Sequence, residues 1–230
     1  MPSQAKHASE AQVSSWKKRI LALAAAAALV CAAVLAVQAY TVRSLQADNV
    51  LTFGNVKIRL LETTLENGQE APVANGYADR VDADTGASRI VRVQNAGDAA
   101  CWVRVRLDME AGAEGARQDA ASAVDYRYGA GVDTSDAGAQ APDALPADTW
   151  VFRADADGAG GWFYYTTPLD AAGTTAELIE ALAFDTDALA ALGIPDDSTF
   201  YLDIRVQAVQ ADNNEDNVLD AAGWPPSQTA

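Results

Sequence analysis

Cys101-Trp102-Val103-Arg104-Val105-Arg106-Leu107-Asp108-Met109 decides the fold. Cys101, Val103, Val105, Leu107 and Met109 recur at every second position, with Trp102, Arg104, Arg106 and Asp108 between them. Successive side chains of a strand point to opposite faces, so this spacing predicts a strand with one apolar and one charged face. The charged face is expected to meet solvent, and Arg104→Asp to cost little there. Val105→Asp, in contrast, should bury an unpaired charge.

The same period recurs on both sides. Val56, Ile58 and Leu60 alternate with Lys57, Arg59 and Leu61, and Val91 and Val93 with Arg92 and Gln94. Asn95-Ala96-Gly97-Asp98 has turn chemistry, so the strands before and after it are expected to form a hairpin. Val124, Tyr126 and Tyr128 give a further strand. Trp150 and Phe152 open another, which turns through Asp155–Gly161 into Trp162, Tyr164 and Thr166. Phe200, Leu202, Ile204, Val206 and Ala208 make the last. Residues 176–184 leave helix and strand open, and Asp187–Leu192 reads as a short helix stopped by Gly193 and Pro195. Short strands at even spacing, without amphipathic helices between them, predict an all-β antiparallel sandwich.

Ahead of this region stands Lys17-Lys18-Arg19, and then an unbroken apolar run from Ile20 to Val37. Val37-Gln38-Ala39 supplies small residues before Tyr40. This order is that of a secretory signal peptide with cleavage between Ala39 and Tyr40. The alternative is an uncleaved anchor, because 18 apolar residues approach the roughly 20 that span a bilayer. Either way residues 40–230 are expected outside the cytoplasm, secreted or at the cell surface, with membrane contact only through the apolar segment.

The chain has 230 residues, and 1–39 hold four of its 16 basic and one of its 32 acidic residues. Residues 40–230 carry 12 basic against 31 acidic residues, a net charge of −19. Such a charge repels nucleic acid and anionic lipid. The one histidine, His7, precedes the apolar run, so the exported part has no imidazole for triad, zinc or general-base chemistry. No enzyme is expected. Cys31 lies in the apolar run and Cys101 stands alone, so no disulfide forms within the exported part. Cys101 reads as a small core hydrophobe.

Candidate cation ligands are weak. Asp155 and Asp157 before Gly158 lack the later ligands of a calcium loop. Asp212, Asn214 and Asp216 are denser in oxygens but lie in what reads as an acidic polar tail, 213–230. No cofactor is expected beyond weak calcium. Residues near 129–148 are rich in Gly, Ala, Asp and Pro and read as a long mobile loop, which leaves 40–212 as the sandwich domain and 1–39 as the signal. The run Trp162-Phe163-Tyr164-Tyr165 is aromatic on both faces. One face should fill the core, and the other cover an edge or meet a partner.

Several of these stretches resemble the TasA/camelysin group of bacterial exported proteins, which carry a SipW-type signal peptide. The resemblance rests on the apolar run ending Ala39-Tyr40 and on Asn49–Ile58. It extends to Arg89–Asp98 with Trp102–Val105, to Gly161–Tyr165 with Pro168-Leu169 and Gly173–Thr175, and to Ile204–Ala211. It covers most of 20–212 outside the 129–148 loop. After Ala39-Tyr40 the chain continues Thr41-Val42-Arg43, a departure from the group's pattern. The resemblance implies a jelly-roll-like sandwich, processing by a dedicated signal peptidase, and a biofilm or matrix role in which some members form fibres. Under it, Tyr40, Val50, Leu51 and Phe53 belong to a segment that could add as a strand to another copy or to other matrix proteins. A monomeric surface module that binds a cation, glycan or host ligand is the other expectation. The group's metallopeptidase label finds no His-Glu-x-x-His here.

Overall fold

The computed structural model describes residues 39–45, 56–73, 78–82, 86–113, 115–136, 145–156, 158, 160–195 and 198–225. The chain divides into two compact units, 1–38 and 39–230, and every described residue belongs to the second. The apolar run, Val50, Leu51, Phe53 and Asp157 lie outside the described residues. No helix among those described is long and apolar enough to cross a membrane.

The protein is all-β, in open, mainly antiparallel sheets. Its strands are β1 (Ala39–Leu45), β2 (Ile58–Glu66), β3 (Gln69–Pro72), β4 (Ala78–Asp82), β5 (Ala87–Ser88), β6 (Ile90–Asn95) and β7 (Cys101–Ala113). They continue with β8 (Ala116–Asp119), β9 (Val124–Tyr128), β10 (Asp133–Asp136), β11 (Trp150–Ala154), β12 (Gly161–Tyr165), β13 (Ile179–Phe184) and β14 (Thr199–Gln210). An α-helix, α1 (Thr186–Ala191), is capped by Asp185, whose side chain accepts from the amides of Asp187 and Ala188. Of the ambiguous 176–184 stretch, Ile179–Phe184 forms β13, paired with β9 and β5.

The large sheet runs β10-β11-β12-β7-β14-β1-β4, with β8 also on β7. Its spine is the antiparallel β7–β14 ladder, in register from Cys101↔Gln210 to Ala111↔Phe200. Among the described residues this sheet is accompanied by two three-stranded sheets, β3-β2-β6 and β5-β13-β9. The β2–β3 hairpin turns on Asn67-Gly68, with φ of 52° and 79°. Those positive angles are what an Asn-Gly turn supplies.

The inner faces meet as the periodicity predicts. Val103, Val105 and Met109 of β7 and Phe200, Leu202 and Ile204 of β14 share a core with Ile58, Val91, Val93, Leu182 and Phe184 of the smaller sheets. Phe184 and Phe200 stack at 4.1 Å across the layers. Each such side chain contributes about 1.5–3 kcal/mol by leaving water. Cys101 is fully buried within this core, and burial pushes its thiol up to about 12. It is a core hydrophobe, as expected.

The expected hairpin across Asn95–Asp98 does not form. β6 pairs with β2, whereas β7 pairs with β14 and β12, so the two strands belong to different sheets. Asn95 is the cause. Its buried amide donates to the carbonyls of Ala99 at 2.8 Å and Leu169 at 2.9 Å, and its Oδ1 accepts from Gly97 N at 2.9 Å. These bonds shape a corner that sends the chain from one sheet to the other.

Two further stretches differ from the sequence reading. Within 129–148, residues 133–136 form β10, an edge strand parallel to β11. Within the expected polar tail, residues 213–225 fold back over the large sheet, with Val218 and Ala221 buried. Counting charges made that segment look solvated, yet its few apolar residues are the ones that find a surface.

Candidate interaction surface

The second face of the large sheet carries the most unusual chemistry in the molecule. Its side chains come from the alternate positions of four neighbouring strands, β11, β12, β7 and β14. Val151, Trp162, Tyr164, Trp102 and Val209 cluster there, and Val218, Ala221, Leu219 and Trp224 of the returning segment cover them. Both faces of β12 are therefore buried, Phe163 and Tyr165 inward and Trp162 and Tyr164 outward. The outward aromatics meet a segment of their own chain.

Arg104 lies inside this cluster at 7% exposure, where the alternating pattern placed a solvated charge. Its guanidinium sits 4.2 Å from the Trp162 ring centroid, 4.7 Å from Trp224 and 5.8 Å from Tyr164. Nε donates to Gln207 Oε1 at 2.8 Å, Nη1 to Tyr164 OH at 3.1 Å and Nη2 to the Pro225 carbonyl at 2.9 Å. Gln207 is there because it sits opposite Arg104 in the β7–β14 register. Burial lowers the Arg104 pKa, and the Tyr164 hydroxyl opposes part of that shift. A delocalised cation tolerates such a site because it is weakly hydrated and stacks on rings.

Further along the same face the sheet is open and ionic. Arg106 pairs with Asp155 and donates to Asp108 at 2.9 Å, and Arg205 Nε donates to the other Asp108 oxygen at 3.0 Å. Asp203 lies 3.5 Å from Arg205. Half-burial raises the Asp203 pKa, Arg205 opposes the rise, and Asp108 and Glu110 add to it. Gly160, at φ 136°, lets the hairpin tip approach: a Cβ there would come within 2.7 Å of Arg106.

The covering segment is held mainly by side chains. Among the described residues one backbone hydrogen bond, Ala211 N to Ala100 O, joins it to the sheet. Arg153 Nη1 adds a bond to the Leu219 carbonyl at 3.2 Å. Asn214 ties the segment to itself, donating to the carbonyls of Gln210 and Ala222 and accepting from the Ala222 amide. The cover leaves a cost behind. The indole N–H groups of Trp102, Trp162 and Trp224 are buried without a hydrogen-bond partner among the described residues. Each such group costs about 1–3 kcal/mol, against about 1.5–3 kcal/mol gained per large apolar side chain buried. The apolar burial outweighs that cost, and the Arg104 and Asn214 bonds fix where the cover sits.

Of the candidate cation ligands, Asp157 lies outside the described residues. Asp155 is engaged by Arg106, Asn214 is the tie just described, and Asp212 and Asp216 are exposed. Among the described residues no three His, Cys, Asp or Glu side chains are grouped to hold a metal. Of the segment assigned to assembly, Tyr40 lies in β1, opposite Val81 of β4.

Trp102, Arg104 and Trp224 were absent from the sequence-based candidates. A signal for them existed: an aromatic on the charged face of β7, and Val218 and Trp224 within an otherwise polar terminus. No family model, no curated protein and no solved structure was found to match this chain.

Proposed function

We propose that this chain is an exported structural protein of the cell surface or extracellular matrix. In this reading it is a jelly-roll-like sandwich that joins other copies by strand addition. The observation that carries it is the seating of β1. Thr41–Leu45 run parallel to Thr199–Asp203 of β14, and Ala39–Arg43 run antiparallel to Ala78–Asp82 of β4. A parallel neighbour cannot arrive through a tight hairpin. It comes from a distant part of the chain, so a backbone ladder of the same kind can be supplied by another copy. The exported location rests on the Lys17–Tyr40 pattern, and the fibre-forming role also on the resemblance to the TasA/camelysin group. Signal peptidase would then cut after Ala39, at the head of β1.

The pairing of β1 with β14 inside one chain favours a second reading, a closed monomer that acts as a surface-binding module for a cation, glycan or host ligand. Electron microscopy and light scattering of the exported protein, with and without calcium, separate the two. Polymers that disappear when Tyr40–Val50 is deleted, while β-rich circular dichroism persists, support strand addition. A protein that stays monomeric across concentration, pH and calcium removes it and leaves the binding module.

A further inference from the structure

We infer that the seat formed by Trp102, Arg104, Trp162 and Tyr164 also takes the Val218–Pro225 segment of a second copy, by exchange of this strap between chains. The inference goes beyond the strand addition proposed for β1 and does not depend on it, because it uses the other end of the described chain and the outer face of the sheet.

The occupant is defined by what the seat already holds. Val218, Ala221 and Trp224 fill the apolar part, Trp224 lies edge-on to Tyr164 at 5.8 Å, and the Pro225 carbonyl accepts from Arg104. None of these contacts requires the strap to belong to the same chain. The strap crosses β14, β7, β12 and β11 without pairing as a strand, so it can lift without breaking a sheet ladder. Lifting also returns three unpartnered indole N–H groups to water.

A turn at Ala211–Asn214 leads from β14 into the strap, and exchange would swing the strap about it. Asn213 holds a φ of 59°, uncommon for a residue other than glycine, and Asn214 N bonds back to Ala211 O at 3.1 Å. Extended, the residues between Gln210 and Val218 reach about 25 Å at roughly 3.3 Å each. Within one dilute chain the local strap wins by effective concentration. Copies crowded on a surface or along a fibre compete at similar local concentrations, and exchange then joins them.

Complementary full-length variants test this. Trp224→Ala carries a damaged strap and an intact seat, and Arg104→Glu an intact strap and a damaged seat. With different affinity tags, the mixed pair should capture each other well above the level at which either captures the double variant. Equal capture in all combinations, with circular dichroism unchanged, overturns exchange. Should Arg104→Glu fail to fold, a fluorescent peptide of residues 211–230 is titrated into the unmutated full-length chain. Saturable anisotropy, competed by unlabelled peptide but not by its Trp224→Ala form, is expected, and no saturable binding overturns the proposal. A pair in which both partners carry Trp224→Ala should lose capture with β1 untouched, which separates this interaction from strand addition.

Discussion

The Arg104 guanidinium reaches 121 residues along the chain to donate to the Pro225 carbonyl at 2.9 Å. The bond fastens the returning segment across the spine of the large sheet, and the ring of Trp224, one residue earlier, lies on the same cation at 4.7 Å. A residue that the strand pattern assigns to solvent is thus the anchor of a second core.

Substitution at Arg104 should be expensive. Arg104→Asp removes three hydrogen bonds and two close ring contacts and leaves an unpaired carboxylate among aromatics. We expect a loss of about 2–4 kcal/mol in urea unfolding, compared with about 0.5 kcal/mol for an ordinary surface site. Val105→Asp, on the inner face, should prevent folding. A near-neutral Arg104→Asp would mean that the outer face is open in solution.

The corner at Asn95 depends on an amide that both donates and accepts. Asn95→Asp loses both donated bonds and buries a charge, so it should destabilise more than Asn95→Ala. For the alanine variant we expect about 2–4 kcal/mol, or a fall in Tm of roughly 4–16 °C for a domain of this size. Equal Tm values for all three proteins would assign the corner to the backbone alone.

Acid should act through Glu70. The Arg92 fork, which donates at 2.8 and 2.9 Å, and the Thr63 hydroxyl lower its pKa to about 2. A depressed carboxylate pKa adds stability above the unfolded value of about 4.3 and loses it as pH falls toward 2. Glu70→Gln should therefore flatten the stability profile between about pH 4.5 and 2. The pair is solvent-accessible, so the loss at neutral pH should stay within about 1 kcal/mol. Parallel acid limbs for variant and parent would contradict this.

Asp203 should behave in the opposite sense. Its pKa is raised, chiefly by burial, so its contribution is fully present at low pH and declines as pH rises through the shifted value. Asp203→Asn has no such decline and should gain on the parent as pH increases from about 4 toward 7. Chemical unfolding across that range checks it, and a constant difference with pH would exclude titration of Asp203.

Cys101 should resist thiol reagents while the protein is folded. Burial keeps its pKa near 12, so almost no thiolate exists at neutral pH. Labelling should begin only with unfolding in denaturant. Rapid labelling of the native protein would require local opening of β7.

Strands β7, β12 and β14, the turn between β11 and β12 and the short helix were legible in the sequence because each obeys local rules. Period-two alternation, Gly- and Asp-rich turn chemistry and the Gly193 and Pro195 helix stop act within a few residues. The inner face was legible for the same reason: an apolar side chain at every second position has one stable direction to point. Alternation does not tell whether the other face is wet. Trp102 and Arg104 are buried because Val218 and Trp224 return from more than a hundred residues away. Nor does it tell which sheet a strand joins: Asn95 parted β6 from β7 by bonding to Leu169, 74 residues downstream. Period and turns belong to the sequence by itself, whereas the second core, the corner and the seating of β1 exist only once distant segments share a surface.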